Sequence, residues 1–426
     1  MGLDSEVGAL GPVPVEIRPP SFRRTLAHRP FFLLWASQLI SQSGDFVFAV
    51  ALLWLVLQTT GSIFAVGLVV TATLLPAVVL GPVLGVYVDR WPRRPLLLAT
   101  NVLEGVLVAA LSLLIVAHDI GLGAILGIVA ALGAGAQVVR ITSNALVPQT
   151  VGLDDLAPAN SLLSFSSSFN QVVGLSIGGV VVALFGVAIP VEYDALSFLL
   201  AAVLVAGIPR AVGRPAGPDS GIPPEGFRTQ FAEGFAFVRR NRFLVEVIAL
   251  GVVVNFFGNA VFALFAPYAD LVLHGGPAAY GLLGASIAAG AILGALVAGK
   301  VNARRHAGRY LFGGATGIGA TMALLGFAGT IPEALAVTFG LGVLLSLTNV
   351  PLLTVVQAKV PGRLMGRAMA VLMSLVMAAG PVGSFFAGSF AGARGVLTVF
   401  LVSGISILIV VAIGFGVMTE LRNVQY

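Results

Sequence analysis

No cysteine occurs anywhere in the 426 residues, so disulfides, thiolate metal sites and cysteine nucleophiles are excluded. Charge is scarce as well. Asp, Glu, Lys and Arg make up 10% of the chain against 58% hydrophobic residues, a balance foreign to water-soluble domains of this length. The four histidines, His28, His118, His274 and His306, lie far apart, and Asp154-Asp155 has no second acidic motif with which to share a metal. Neither a metal centre nor a hydrolytic site takes shape from them. A nucleotide signature is missing too. GALVAGK at 294–300 fits the first seven positions of a phosphate-binding loop, but Val301 stands where Ser or Thr would meet magnesium, and the segment ends an apolar run instead of following a strand. These absences point away from an enzyme or an ATP-driven pump, and leave an ion gradient, with no cofactor, as the energy source.

What the chain has in abundance is apolar runs long enough to cross a bilayer. They lie near 31–57, 62–88, 96–117, 121–148, 160–189 and 192–208, then near 243–273, 278–299, 310–330, 333–356, 365–391 and 395–418. The expected fold is an all-α membrane protein of twelve transmembrane helices in two pseudo-symmetric six-helix bundles. The implied division is an N-terminal tail (1–30), a first bundle (31–208), a polar linker (209–242), a second bundle (243–418) and a C-terminal tail (419–426). The first 30 residues contain no apolar signal-peptide region, so a cytoplasmic tail is expected there. In the second half of the linker Phe227, Phe231, Phe235 and Val238 fall at helical spacing beside Arg228, Arg239, Arg240 and Arg242. That pattern fits a helix lying along an anionic membrane surface or a solvated linker helix equally well.

Basic residues check the span count. On a twelve-span path 22 of the 23 Lys and Arg fall on one side, with Arg394 alone on the other. Cytoplasmic loops carry such an excess, so both termini are expected in the cytoplasm of an inner-membrane protein. Topology thereby accounts for the net charge of +5, and no nucleic-acid or nucleotide partner is called for. The halves also look like copies, since GDFVFAV (44–50) and GNAVFAL (258–264) match at an offset of 214 residues. The same offset sets Asp45 against Asn259 and Asp89 against Ala303, so the acids survive in the first half alone.

The loop after the second span reads GVYVDRWPRR (85–94), and with SQSGD (41–45), ANSLLSF (159–165), DALSF (194–198), YGLLGA (280–285) and GRAMAV (366–371) it resembles the major facilitator superfamily over nearly the whole chain. The resemblance is to the branch of macrolide-efflux and siderophore-exporter proteins. It implies a secondary active transporter working by alternating access, most simply a proton-coupled exporter of a small amphipathic compound, drug or siderophore-like, acting as a monomer in the lipid bilayer. Uptake or lysolipid transport on the same fold is the alternative, and a receptor or membrane enzyme the alternative from another class. The resemblance assigns Gly85, Asp89, Arg90, Arg93 and Arg94 to a gate that braces the cytoplasmic side against the second half. GLSIGG (174–179) is similar to the antiporter motif of drug exporters but has Leu175 where that motif has proline.

Three charged residues fall inside spans and are the proton-coupling candidates. Asp45 sits mid-span, where an ionised carboxylate costs at least about 2.5–3.5 kcal/mol and must be hydrated, paired or protonated. Glu104 and Arg140 lie about 12 Å deep at 1.5 Å per residue, as a pair that one proton breaks, as a static structural pair, or unpaired with Arg140 snorkelling to the interface. The substrate-cavity candidates are Gln38, Gln42, Phe46, Asn170, Gln171, Asn255, Asn259 and Asn349, amides and an aromatic suited to a partly apolar ligand, although each would also serve as packing glue.

Overall fold

The computed structural model describes residues 22–117, 120–213, 227–298 and 307–424. Most of the N-terminal tail, the Pro/Gly-rich stretch 214–226 and the basic loop 300–305 lie outside the described residues, as do the side chains of Gly85, Asp89 and Arg90. The described residues form helices and turns without a strand. A short α1 (Phe22–Ala27) leads into α2 (Arg29–Thr60), α3 (Ile63–Arg90), α4 (Arg93–Val116), α5 (Leu122–Thr150), α6 (Leu156–Phe185) and α7 (Ala188–Ala206). The linker helix α8 (Phe227–Arg240) precedes α9 (Arg242–Ala263), which continues as α10 (Phe265–Leu271) after a break at Leu264. Then come α11 (Gly276–Ala298), α12 (Ala307–Leu325), α13 (Ile331–Lys359), α14 (Gly362–Arg394), α15 (Val396–Val417) and a terminal turn, α16 (Thr419–Arg422).

Eleven of the described helical segments, counting α9 with α10 as one, are long and apolar enough to span a membrane. The twelfth expected span, α12, is helical and packs between α13 and α15, but Arg309 and the glycines at 308, 313, 314, 317 and 319 dilute its apolar content. Helix ends obey local chemistry. Ser62 caps α3 by accepting from the Ala65 amide at 3.3 Å, Thr330 and Glu333 form a capping box on α13, and Gly61 closes α2 in the left-handed region at φ +60°. The boundary between the fifth and sixth spans falls at Gly186, φ +77°, four residues before the position read from the sequence. Pro190 sits in the first turn of α7, where a missing N–H breaks no helical bond.

The two halves meet along two seams that exchange equivalent helices. The second span of each half packs on the fifth span of the other, α3 on α14 and α11 on α6, which is the arrangement a two-fold repeat requires. Toward the face that carries Arg394 both seams close through bare backbone. A Cβ on Gly67 would stand 2.7 Å from the Ser384 carbonyl and 2.8 Å from Gly388 Cα, and one on Gly179 would stand 2.7 Å from the Pro277 carbonyl. Gly281 presses in the same way on the Leu175 carbonyl. Small residues let membrane helices approach this closely, and the approach recovers dispersion energy where no hydrophobic effect operates.

On the arginine-rich face, side chains tie segments together. Arg24 forks onto Asp155 (Nε to Oδ1 3.0 Å, Nη2 to Oδ1 2.6 Å), and His28 Nε2 lies 3.1 Å from Asp155 Oδ2, clamping α1 to the turn between α5 and α6. The Arg24 hydrogen bond first, and that of His28 after it, hold the Asp155 carboxyl below its ordinary value against the opposing effect of burial. A carboxylate depressed in the folded state stabilises at every pH above its ordinary range, and the contribution is lost only as pH falls through the depressed value. Asp155→Asn is therefore expected to raise the rate of tryptic cleavage after Arg24 about tenfold at neutral pH, through local opening. An unchanged cleavage rate would show that the clamp does not hold the segment.

The linker helix α8 docks on α14: Glu233 pairs with Arg367, Gly234 lies against the Arg367 carbonyl and Val238 is buried. Of the apolar face read from the sequence, Phe231 packs against the second bundle while Phe235 remains exposed.

Candidate functional site

The first half encloses a cavity of about 650 Å3. One stripe of α2 faces it, with Gln38, Ser41, Gln42, Asp45, Ala49 and Leu52 recurring every three or four residues. Thr73 of α3, Glu104 of α4, Arg140 of α5, Ser167 of α6 and Asp194 of α7 complete the ring. Asp45 opens onto the cavity, whereas Glu104 and Asp194 are 2% and 0% exposed. Three carboxyls thus share one wall at membrane depth.

Glycines bring them together. A Cβ on Gly44 would collide with Asp194 Oδ1 and Ser197 Oγ, so α7 presses its carboxyl against the residue preceding Asp45. A Cβ on Gly135 would stand 3.0 Å from the Glu104 carboxyl carbon, so α5 seats that acid in the same manner. Ser197 Oγ donates to the Asp194 backbone carbonyl at 2.8 Å and to its Oδ1 at 3.3 Å. Asp194 Oδ2 and Glu104 Oε2 have no hydrogen-bond partner among the described residues. Three negative charges in such a wall repel one another strongly, so a proton or a cation is needed among them.

A second cavity, about 440 Å3, lies in the second half between α9, α12, α13 and α14. Asn255, Asn259 and Asn349 are its amides, and Met373, Met377 and Phe262 lie among aliphatic side chains. Asn259 Nδ2 donates to the Asn255 carbonyl at 2.9 Å and to its Oδ1 at 3.1 Å. No titratable group lines it among the described residues. Asn259 occupies here the place that Asp45 takes in the first cavity, as the 214-residue offset demands.

A family model described as transmembrane secretion effector matches residues 22–425. The chain belongs to this family of the major facilitator superfamily. It is similar to the multidrug efflux pump Tap of Mycolicibacterium fortuitum, at 28% identity over 411 residues that cover 92% of this chain and 97% of Tap. It is also similar to macrolide efflux protein A of Streptococcus pyogenes, at 22% over 406 residues, 93% of this chain and 97% of that protein. Two solved structures share the fold. The nucleoside transporter NupG superposes with a TM-score of 0.70 at 13% identity over 92% of this chain and 98% of its own. A bacterial homologue of the human lysosomal transporter Spinster gives 0.70 at 16%, over 95% and 98%. A facilitator of this kind is a multi-pass membrane protein that carries small molecules.

Within this facilitator the structure gathers some expected site residues and disperses others. Gln38, Gln42, Asp45, Glu104 and Arg140 share the first cavity, and Asn255, Asn259 and Asn349 the second. Phe46, Asn170 and Gln171 line neither. Phe46 lies off the cavity stripe of α2 and packs its Cβ on Gly174, and the Asn170 Nδ2 donates to the Leu39 carbonyl at 2.7 Å, joining α6 to α2. Glu104 and Arg140 do not pair: Glu104 abuts Gly135, and the Arg140 guanidinium is held by Gln137 Oε1 at 3.0 and 2.9 Å on its own helix. Of the gate residues, the Arg94 guanidinium bonds the Ala206 carbonyl at the end of α7, and the Arg93 amide donates to the Gly213 carbonyl in the linker at 2.8 Å. Asp194, absent from the sequence candidates, is the main addition. The sequence put the sixth span at 192, which made residue 194 interfacial, whereas α7 starts at Ala188 and carries the carboxyl inside.

Proposed function

We propose that the facilitator is a proton-coupled exporter of small amphipathic compounds. The observation that carries this reading is the meeting of Asp45, Glu104 and Asp194 in the wall of one cavity beside an amide-lined apolar cavity in the other half. The acid wall takes and releases protons, the second cavity receives the apolar part of the cargo, and the halves rock about the two seams to expose both to alternate sides. Similarity to proteins named as multidrug and macrolide efflux pumps supports outward transport, and the basic excess on one face supports an inner-membrane location with both termini cytoplasmic. In this reading the ion gradient is the sole energy source, Arg140 tunes the field at the acids, the loop containing Gly85, Asp89 and Arg90 gates the cytoplasmic side, and a monomer acts without nucleotide, cofactor or enzymatic step.

The test uses proteoliposomes with an imposed pH gradient and a panel of fluorescent amphipathic dyes and macrolides. At least one compound should move against the proton flow and stop moving when a protonophore collapses the gradient. Fluxes indifferent to both treatments across the panel would overturn proton coupling.

A further inference from the structure

Arg140 is the one cation among the described residues that line the first cavity. Its guanidinium opens onto that space and is held by a neutral partner, Gln137 Oε1, which also occupies the side facing along its own helix. No described carboxylate lies within ion-pair reach of it, although three share the cavity. Gln38 and Ser143 line the same cavity and are 8% and 6% exposed, yet Gln38 Nε2 and Ser143 Oγ have no hydrogen-bond partner among the described residues. Buried donors without partners cost about 1–3 kcal/mol each, so a site that keeps them is built for an acceptor that arrives from outside.

The depths sort the charges into layers. Arg140 lies five residues beyond Gly135, the seat of Glu104, and Gln38 lies seven residues before Asp45. At 1.5 Å per residue Arg140, Gln38 and Ser143 therefore sit about 7–12 Å nearer the arginine-rich face than the acids. An anion held by the donors keeps that distance from the carboxyls, and the acid layer beyond it repels a second anion.

We propose that Arg140, Gln38 and Ser143 form an oxyanion subsite, and that the exported compound is an amphipathic molecule bearing a carboxylate or a chemically equivalent oxyanion. This deepens the exporter reading and rests on it for the word exported; the subsite itself is testable by binding alone. Arg140 supplies the charge and the planar fork suited to two oxygens, and Gln38 and Ser143 supply neutral donors from a second helix and from one turn further along α5.

The test compares dansyl-phenylalanine with its primary amide, probes that share a fluorescent apolar body and differ in one charge, against purified full-length protein in a neutral detergent. The wild type should bind the carboxylate about tenfold tighter than the amide, the ratio expected of one charge-assisted contact. Arg140→Gln should bring the ratio to about one while leaving amide affinity within about twofold, which shows that the variant is folded. Arg140→Lys should retain part of the preference, and Gln38→Met should reduce it about threefold. A wild type with no preference for the carboxylate, including one that binds neither probe, or an Arg140→Gln protein that keeps the preference, overturns the subsite. The titration repeated in phosphatidylcholine and phosphatidylglycerol nanodiscs separates cargo from lipid. If phosphatidylglycerol abolishes the preference, the occupant is a lipid headgroup and the cargo proposal fails. Because no gradient is involved, these outcomes are independent of whether transport is proton-coupled.

Discussion

Asp45→Asn should abolish substrate movement driven by a pH gradient, a loss of about a hundredfold or more, while leaving binding in detergent within a few fold. The argument is one of charge inventory. Asp45 is the carboxyl open to the cavity, whereas Glu104 and Asp194 are sealed in its wall, so protons that enter through the cavity reach Asp45 first. In the wild type an unneutralised Asp45 costs at least about 2.5–3.5 kcal/mol to move between exposed states, so its protonation drives that step by about a hundredfold or more, whereas an amide, neutral at every pH, keeps the shape and gives the gradient no such hold. Glu104→Gln and Asp194→Asn should impair coupling less severely, by altering the repulsion that Asp45 feels. Proton flux recorded with a pH-sensitive dye in proteoliposomes decides the matter: substrate-dependent proton movement of normal size in Asp45→Asn would assign the proton to another group.

Gly281→Val should arrest the transporter with the Arg394-bearing face open. The site has no space for a side chain, since a Cβ there meets the Leu175 carbonyl and stands 2.9 Å from Gly179 Cα. Overpacking of this sort costs about 1–3 kcal/mol, which displaces a two-state equilibrium by about tenfold to a hundredfold. The absence of native cysteine allows a clean reporter. Ser384, fully buried beside Gly67 in the other seam, becomes accessible once that seam parts. In a Ser384→Cys background, Gly281→Val should speed labelling by an impermeant maleimide about tenfold and reduce transport by a similar factor. Labelling that does not change would show that the seams open independently, contrary to rigid rocking of the halves.

Much of this was legible in the sequence because lipid leaves the chain few options. Apolar length marked out the spans, the basic count agrees with an even number of them, and the 214-residue offset set Asp45 against Asn259, which the structure places in the cavities of the two halves. Local chemistry at helix ends was less legible: the fifth span reads as running to 189 and the sixth as starting at 192, although the turn is made by Gly186 and α7 starts at Ala188, which places Asp194 deeper than the sequence suggests. The cavity lining was readable on α2, where one helical stripe carries Gln38, Gln42 and Asp45. It was not readable for Asn170 or Phe46, because an amide that reaches a neighbouring carbonyl and one that faces a cavity look the same until the rotation of the helix is known. Whether Glu104 and Arg140 pair was not readable for a similar reason. Counting residues from the helix ends set both charges at one depth, but Glu104 seats against Gly135, five residues along α5 from Arg140, and Arg140 is held by Gln137.

The absence of any titratable side chain from the described lining of the second cavity has a bearing on how such a protein diversifies. Exchanging Met373, Met377, Phe262 or the three asparagines alters the shape offered to a ligand without adding or removing a charge. The wall that holds Asp45, Glu104 and Asp194 lies in the other half and is left as it was. On the proton-coupled reading proposed above, substrate range can therefore drift by mutation in one half while energy conversion stays under selection in the other, and a lineage can acquire new cargo without re-evolving its engine.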